Sequence, residues 1–241
     1  MKLSYADPRP YWVGQNVLAL QCSSSFGNPS GHSETSMAMA MTVWLDYANV
    51  LGVTNSRKII TFCLVILFSF SIGYSRLILG VHSLDQIIYG LSLGVWIAFT
   101  MQYCVRPDLD PHIKQLVSNK IKQFKELFLA NFIIVTLIIG GQMFDYAIMS
   151  GRVMIDDIWI TNMESKCGPV NFNKSFANNI LAGCGTAAIA CGGYFGLLIQ
   201  AKFYKGITQY SLPLDKSILK FLGRVGVTLL MVAPVMALLL I

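Results

Sequence analysis

Charge is what this sequence has least of. Asp, Glu, Lys and Arg make up 12% of its 241 residues, while 54% are hydrophobic. A soluble domain carries roughly a quarter charged residues, so the shortage excludes an ordinary soluble globular protein and points to lipid as the main solvent. Histidine is scarce too: the chain has three, so imidazole chemistry has few places to be. The six cysteines include no CxxC pair and no Cys/His metal spacing, which leaves neither a thiol redox motif nor a zinc site. Residues 1–12 lack the basic-then-apolar order of a cleavable signal peptide. Internal repeats and low-complexity tracts are also missing.

What is there is a series of apolar runs. A bilayer-spanning helix needs about 20 mostly apolar residues, and six stretches qualify, near 35–54, 59–79, 84–105, 127–149, 177–201 and 217–241. The first is the least apolar and carries Asp46. The fifth is rich in Gly and Ala, which predicts close packing among other helices. The expected fold class is all-α, a polytopic transmembrane bundle of about six helices.

The net charge of +6 would suggest nucleic acid in a soluble protein. Here the basic residues lie between apolar runs, so membrane lipids are the expected partners and nucleic acid is not. Arg57 and Lys58 follow the first run; Arg106, Lys114, Lys120, Lys122 and Lys125 follow the third; Lys202, Lys205 and Lys216 follow the fifth. Every second loop is basic, which marks those loops cytoplasmic. Segments 1–34, 80–84 and 150–176 then face the other side. Asn173-Lys174-Ser175, a weak glycosylation sequon, agrees with that side. Residues 106–126 are expected to form a short amphipathic helix on the cytoplasmic surface. Cys63, Cys104, Cys184 and Cys191 lie in or beside apolar runs and are expected to pack. Cys22 and Cys167 fall in loops on the same oxidising side, and spacing alone leaves their pairing open.

Two of the three histidines, His32 and His82, begin membrane helices on the non-cytoplasmic side. Two imidazoles facing one compartment are suited to an acid/nucleophile pair. Pro29-Ser30-Gly31-His32-Ser33-Glu34 suits a helix entry, whose free N–H groups and positive dipole end bind phosphate. A plain N-cap, with Ser30 or Gly31 capping and Ser33 or Glu34 closing the box, explains the same residues without needing His32. In Ser75-Arg76-Leu77-Ile78-Leu79-Gly80-Val81-His82-Ser83-Leu84-Asp85-Gln86, the arginine at the end of an apolar run either snorkels, pairs or works. Ser83 to Gln86 reads equally as a capping box, with Asp85 as a first-turn acid. The start, Lys2-Leu3-Ser4-Tyr5-Ala6-Asp7-Pro8-Arg9-Pro10-Tyr11-Trp12, is by itself a basic, aromatic anchor at the headgroups.

Taken together, Lys2-x6-Arg9-Pro10, Pro29-Ser30-Gly31-His32 and Ser75-Arg76-x5-His82 resemble the three-part signature of the phosphatidic acid phosphatase/haloperoxidase superfamily in order, direction and spacing. Arg9-Pro10-Tyr11-Trp12 is similar to the glucose-6-phosphatase branch. Tyr74-Ser75-Arg76 and Gln86-Ile87-Ile88-Tyr89-Gly90 are similar to dolichyl-diphosphate phosphatases, and the branch stays open. Two positions depart from the pattern. Many members place Asp four residues after the second histidine, where this chain has Gln86, with Asp85 one residue early. The family also carries membrane helices before the first block, whereas Lys2 follows Met1 here, so a fragment or a displaced start is expected.

The resemblance implies an integral membrane phosphohydrolase with residues 1–105 as the phosphatase core, 106–126 as a basic cytoplasmic linker and 127–241 as further helices of the same bundle. His82 would attack phosphorus to give phosphohistidine. His32 would protonate the leaving group and then activate water. Asp85 would join the catalytic set, with Gln86 as an alternative orienting group for His82. Lys2, Arg9, Ser30, Gly31 and Arg76 would hold the phosphate. No metal and no cofactor is implied. The substrate is a phosphorylated small molecule or lipid: a lipid phosphate, a polyprenyl diphosphate or glucose 6-phosphate. The expected location is the endoplasmic reticulum or another endomembrane, with the site luminal. The competing readings are a catalytically decayed phosphate- or lipid-binding membrane protein and, further off, a transporter, for which broken helices and pseudo-symmetry are wanting. Haloperoxidase chemistry belongs to soluble relatives.

Overall fold

The computed structural model describes residues 2–50, 52–118 and 123–203, apart from a few side chains, and within them every regular element is helical. The order is α1 (Lys2–Tyr5), α2 (Pro10–Val13), α3 (Gly31–Ala48), α4 (Asn55–Ile78), α5 (Leu84–Thr100), a π-helical turn (Met101–Val105), α6 (Arg106–Val117), α7 (Phe124–Ser150), α8 (Asp157–Cys167) and α9 (Phe172–Phe203). Four stretches are long and apolar enough to cross a bilayer: Asn55–Ile78, Leu84–Leu116, Phe124–Ser150 and Asn179–Lys202. The expected span at 217–241 lies outside the described residues.

Two of the expected boundaries move. α3 stops at Ala48 instead of running to 54, and it is not among the four apolar stretches. Thr35 and Ser36 near its N-terminus line a cavity, and Asp46 at the far end meets the Arg106 guanidinium. The third span does not stop at 105. It continues through the π turn into α6, the helix expected on the cytoplasmic surface. Arg106 anchors that join, also bonding Gln102 Oε1 at 2.9 Å and Asp110 Oδ2 at 3.2 Å. The side chains of Arg106, Asp46 and Asp110 are 38%, 44% and 52% exposed, so the ion pairs steer the chain more than they stabilise it.

α3, α4 and α5 form the core of the bundle. Met37, Met41 and Leu45 recur every four residues on α3 and meet Ile87, Leu91 and Ala98 of α5, as a helical repeat requires. The two helices approach closely because Gly90 and Gly94 of α5 present no side chain. A Cβ at Gly90 would lie 2.6 Å from the Ser30 carbonyl oxygen, and one at Gly94 would lie 2.5 Å from that of Glu34. Close approach of this kind drives helix association in lipid. Of the glycines in the Gly/Ala-rich fifth run, Gly183 faces α7, where a Cβ would lie 2.9 Å from Gln142 Oε1, whereas a Cβ at Gly185, Gly192, Gly193 or Gly196 would touch nothing within 4 Å among the described residues. α9 packs on α7, with Leu198 and Ala201 also meeting Leu116 of α6.

α3 runs away from the site, α4 returns and α5 runs away again. The start of α3, the end of α4 and the start of α5 therefore share one end. Above them lies an aromatic cap of Tyr11, Trp12, Phe26 and Phe176, with Leu3, Val81 and Met163. α8, which the sequence pattern did not indicate, clamps this cap. Asn162 Nδ2 donates to Trp12 O (2.8 Å), and Lys166 Nζ donates to Tyr11 O (3.0 Å) and Gly14 O (2.6 Å). These bonds satisfy carbonyls that the short α2 leaves open. A Cys22–Cys167 disulfide closes the clamp, with Cα atoms 5.8 Å apart. Cys63, Cys104, Cys184 and Cys191 are free, the first two exposed on the outer helix surface instead of packed inside.

Candidate active site

A cavity of about 780 Å³ opens at this end, and Lys2, Arg9, Gly31, His32, Arg76 and His82 all line it. Three stretches from the first 86 residues thus converge on one space.

Local structure explains each placement. Gly80, after α4, adopts φ +70°, which favours glycine, and a Cβ there would strike the Leu18 carbonyl at 2.2 Å. The tight turn lets the 14–30 loop cross beneath and pair Leu20 N with Leu79 O at 3.2 Å. It also delivers Val81 and His82 into the cavity. Arg9 is 4% exposed and fixed at three points: Nε to Ser25 O (2.6 Å), Nη1 to Val81 O (2.8 Å) and Nη2 to Ser25 Oγ (2.9 Å). Its Nη1 is 3.4 Å from His82 Nε2. Arg76 bonds Gln21 Oε1 through Nη2, while its buried Nε has no hydrogen-bond partner among the described residues. Lys2 Nζ donates to Phe26 O at 3.3 Å.

Among the described residues no carboxylate is bonded to these donors, an arrangement suited to an anion. Burial and neighbouring cations lower the proton affinities of Lys2 and Arg9. Desolvation first, then Arg9, brings Lys2 to about 8. Desolvation, with Arg76 adding to it, brings Arg9 to about 10. His82 is pulled to about 3 by burial and then by Arg9, against a hydrogen bond from Gln86 that favours its charged form. His32 is lowered by partial burial and then by Arg76, Lys2 and Arg9. Both imidazoles are therefore neutral in the empty site at pH 7, and a bound phosphate would raise both. The start of α3 adds to the field: the Ser30 side chain makes no capping bond, so the first-turn N–H groups remain for a ligand.

Not every expected site residue lines the cavity. Ser30 is fully buried. Its hydroxyl accepts from Ser33 Oγ at 3.0 Å and its N–H donates to Gln86 O at 3.1 Å, because the Gly90 contact seats it against α5. Asp85 is exposed and makes no hydrogen bond to His82. At the second helical position it turns outward, while Gln86, one residue on, turns inward. Gln86 Oε1 lies 3.1 Å from His82 Nδ1. Ser83 and Gln86 also form the anticipated capping box, so the cap and the histidine partner are the same residue.

Sequence reasoning missed Gln21, Ser23, Ser25 and Asp7. The Ser23-Ser24-Ser25 run ahead of Pro29 was a usable signal for a polar loop, but nothing in it indicated that it cradles Arg9.

The same cavity has a second, apolar side made by Met39 of α3 and by Phe68 and Ile72 of α4. Residues 1–110 match the PAP2 superfamily, a stretch that includes all three blocks and both histidines. No curated protein and no solved structure matches the chain.

Proposed function

We propose, from the premise that residues 1–110 belong to the PAP2 superfamily, that this membrane protein hydrolyses a phosphate ester through phosphohistidine at His82. The observation that carries the reading is the single cavity with two imidazoles, two guanidiniums and one ammonium around its polar side. His82 Nε2 attacks phosphorus as the ester oxygen departs. His32 gives its proton to that oxygen, then takes one from the water that cleaves the phosphorus–nitrogen bond. Lys2, Arg9, Arg76 and the α3 amides hold the phosphoryl oxygens and offset their developing charge. Arginine's fork suits that task better than a point charge.

The apolar side favours a substrate with a hydrocarbon part. Met39 of α3 is 66% exposed and Phe68 is 54% exposed on α4, a helix long and apolar enough to cross a bilayer. A chain lying along them would leave its phosphate at His82, so a lipid phosphate or polyprenyl diphosphate fits better than glucose 6-phosphate. Two observations support a non-cytoplasmic site: the disulfide lies at the cavity end, as expected in an oxidising compartment, while Arg57, Lys58, Arg106 and Lys114 lie at the other.

Phosphate release from membranes tests this with glucose 6-phosphate, phosphatidate, a sphingoid phosphate and dolichyl diphosphate as substrates. The expected result is release from an amphipathic substrate, abolished by His82→Ala and cut roughly 2–4 decades by His32→Ala. Turnover that survives His82→Ala rejects the mechanism. Glucose 6-phosphate as sole substrate rejects the substrate class.

A further inference from the structure

Resting on the reading of His82 as nucleophile, we propose that Asp7 is its positioning residue, acting through Gln86 to hold the imidazole with Nε2 free to attack. Gln86 Oε1 accepts from His82 Nδ1 at 3.1 Å and from the Ser83 N–H at 3.3 Å. Gln86 Nε2 donates to Asp7 Oδ2 and to Pro8 O, each at 2.9 Å. These four bonds use both lone pairs and both hydrogens of the amide. Turning the amide over would set its NH₂ against the Ser83 N–H and its oxygen against Asp7 and Pro8. Asp7 and Pro8 therefore decide that a carbonyl faces His82. A carbonyl accepts only, so Nδ1 carries the proton and Nε2 keeps its lone pair on the cavity side.

The first block closes around this amide. A Cβ at Gly27 would come within 2.4 Å of both Gln86 amide atoms, and the Gly27 N–H donates to Asp7 O at 2.8 Å. Gln86 is 2% exposed, and Asp7 and Pro8 are the acceptors its Nε2 has.

Chemistry gives the pair its purpose. When the Nε2 lone pair forms the bond to phosphorus, the ester bond breaks and the leaving oxygen takes the His32 proton. The phosphorylated ring then carries a positive charge with Nδ1 still protonated. A neutral amide accepts that N–H but supplies no charge. The Asp7 carboxylate, bonded to the far end of the same amide, supplies it one hydrogen bond further out. A carboxylate at position 86 would instead face Asp7 and the Pro8 carbonyl with no proton between them. Glutamine at 86 and aspartate at 7 are thus a matched pair from two different blocks.

The test uses the full chain in detergent or vesicles and the best substrate found for the wild type, with kcat and KM measured separately. Asp7→Ala is expected to lower kcat about tenfold, the scale of one lost charge-assisted bond, with KM within about twofold because the phosphate-holding cations stay. Asp7→Asn keeps an acceptor, covers the case in which the alanine variant does not fold, and is expected to lose less. Gln86→Glu alone is expected to lose more than about tenfold. Adding Asp7→Asn should recover activity, because the new amide donates to Glu and Glu meets the Nδ1 proton directly. A merely structural Asp7 makes the two losses multiply. Wild-type kcat in Asp7→Ala, or a double variant no better than Gln86→Glu, overturns the pairing. Survival of turnover in His82→Ala overturns the underlying mechanism instead.

Discussion

Gly90→Ala is the smallest change that reaches the site without touching it. The added Cβ would sit 2.6 Å from the Ser30 carbonyl oxygen and 3.3 Å from Ser33 Cβ. The first neighbour is backbone, which has no rotamer to yield. Restoring an ordinary approach of 3.4 Å requires the helices to part by about 0.8 Å where α3 begins. The residue after next on α3 is His32, and His82 sits on the turn entering α5. A separation of that size falls on the distance between the two imidazoles. Misplacements near 1 Å cost about a hundredfold in rate, so kcat should fall by about one to two decades. Stability should fall by no more than about 3 kcal/mol: overpacking costs about 1–3 kcal/mol, and replacing a helical glycine returns up to about 1 kcal/mol. Phosphate-release kinetics and thermal unfolding in detergent give the two numbers. Gly192→Ala on α9, where a Cβ touches nothing within 4 Å among the described residues, is the control: kcat should stay unchanged and stability should hold or rise by up to about 1 kcal/mol. Wild-type kcat in Gly90→Ala would falsify the idea that the α3–α5 approach sets the site.

Three further outcomes are expected. His32 has a lowered proton affinity in the empty site and must be protonated to act as acid. The alkaline limb of kcat/KM should therefore begin below pH 6.5, whereas that of kcat should lie higher, since bound phosphate offsets Lys2, Arg9 and Arg76. Coincident limbs, after allowance for the substrate's own ionisation, would contradict this. Stability follows the same sign: His82 resists protonation when folded, with its value near 3 against 6.5, so stability should decline as pH falls through 6.5 toward 3, read from thermal scans of wild type against His82→Gln. Replacing both Cys22 and Cys167 by Ser releases the loop that carries Gln21 and Ser25. Thermal stability should fall by about 2–4 kcal/mol and KM should rise as Arg9 and Arg76 lose their supports; an unchanged KM would show the loop holds without the bond.

The amino-acid sequence alone determined the solvent, the helical class and the chemical inventory. Charge at 12% and a series of apolar runs need no tertiary information, because lipid admits only helices or closed barrels with satisfied backbones. His32, His82, Arg9 and Arg76 were legible as well, since their blocks have fixed local spacing. The tertiary structure decided which side chains meet. Ser30 and Asp85 read as site residues by position, yet one is pressed under the cavity by α5 and the other is turned to the outside. Which glycines matter was equally hidden: the run in α9 is denser, but Gly90 and Gly94 are the ones against another backbone. Asp7 lies 79 residues from Gln86, and no local periodicity links them. Partners that distant are fixed by how helices pack and where loops cross, which is a property of the assembled chain and not of any stretch within it.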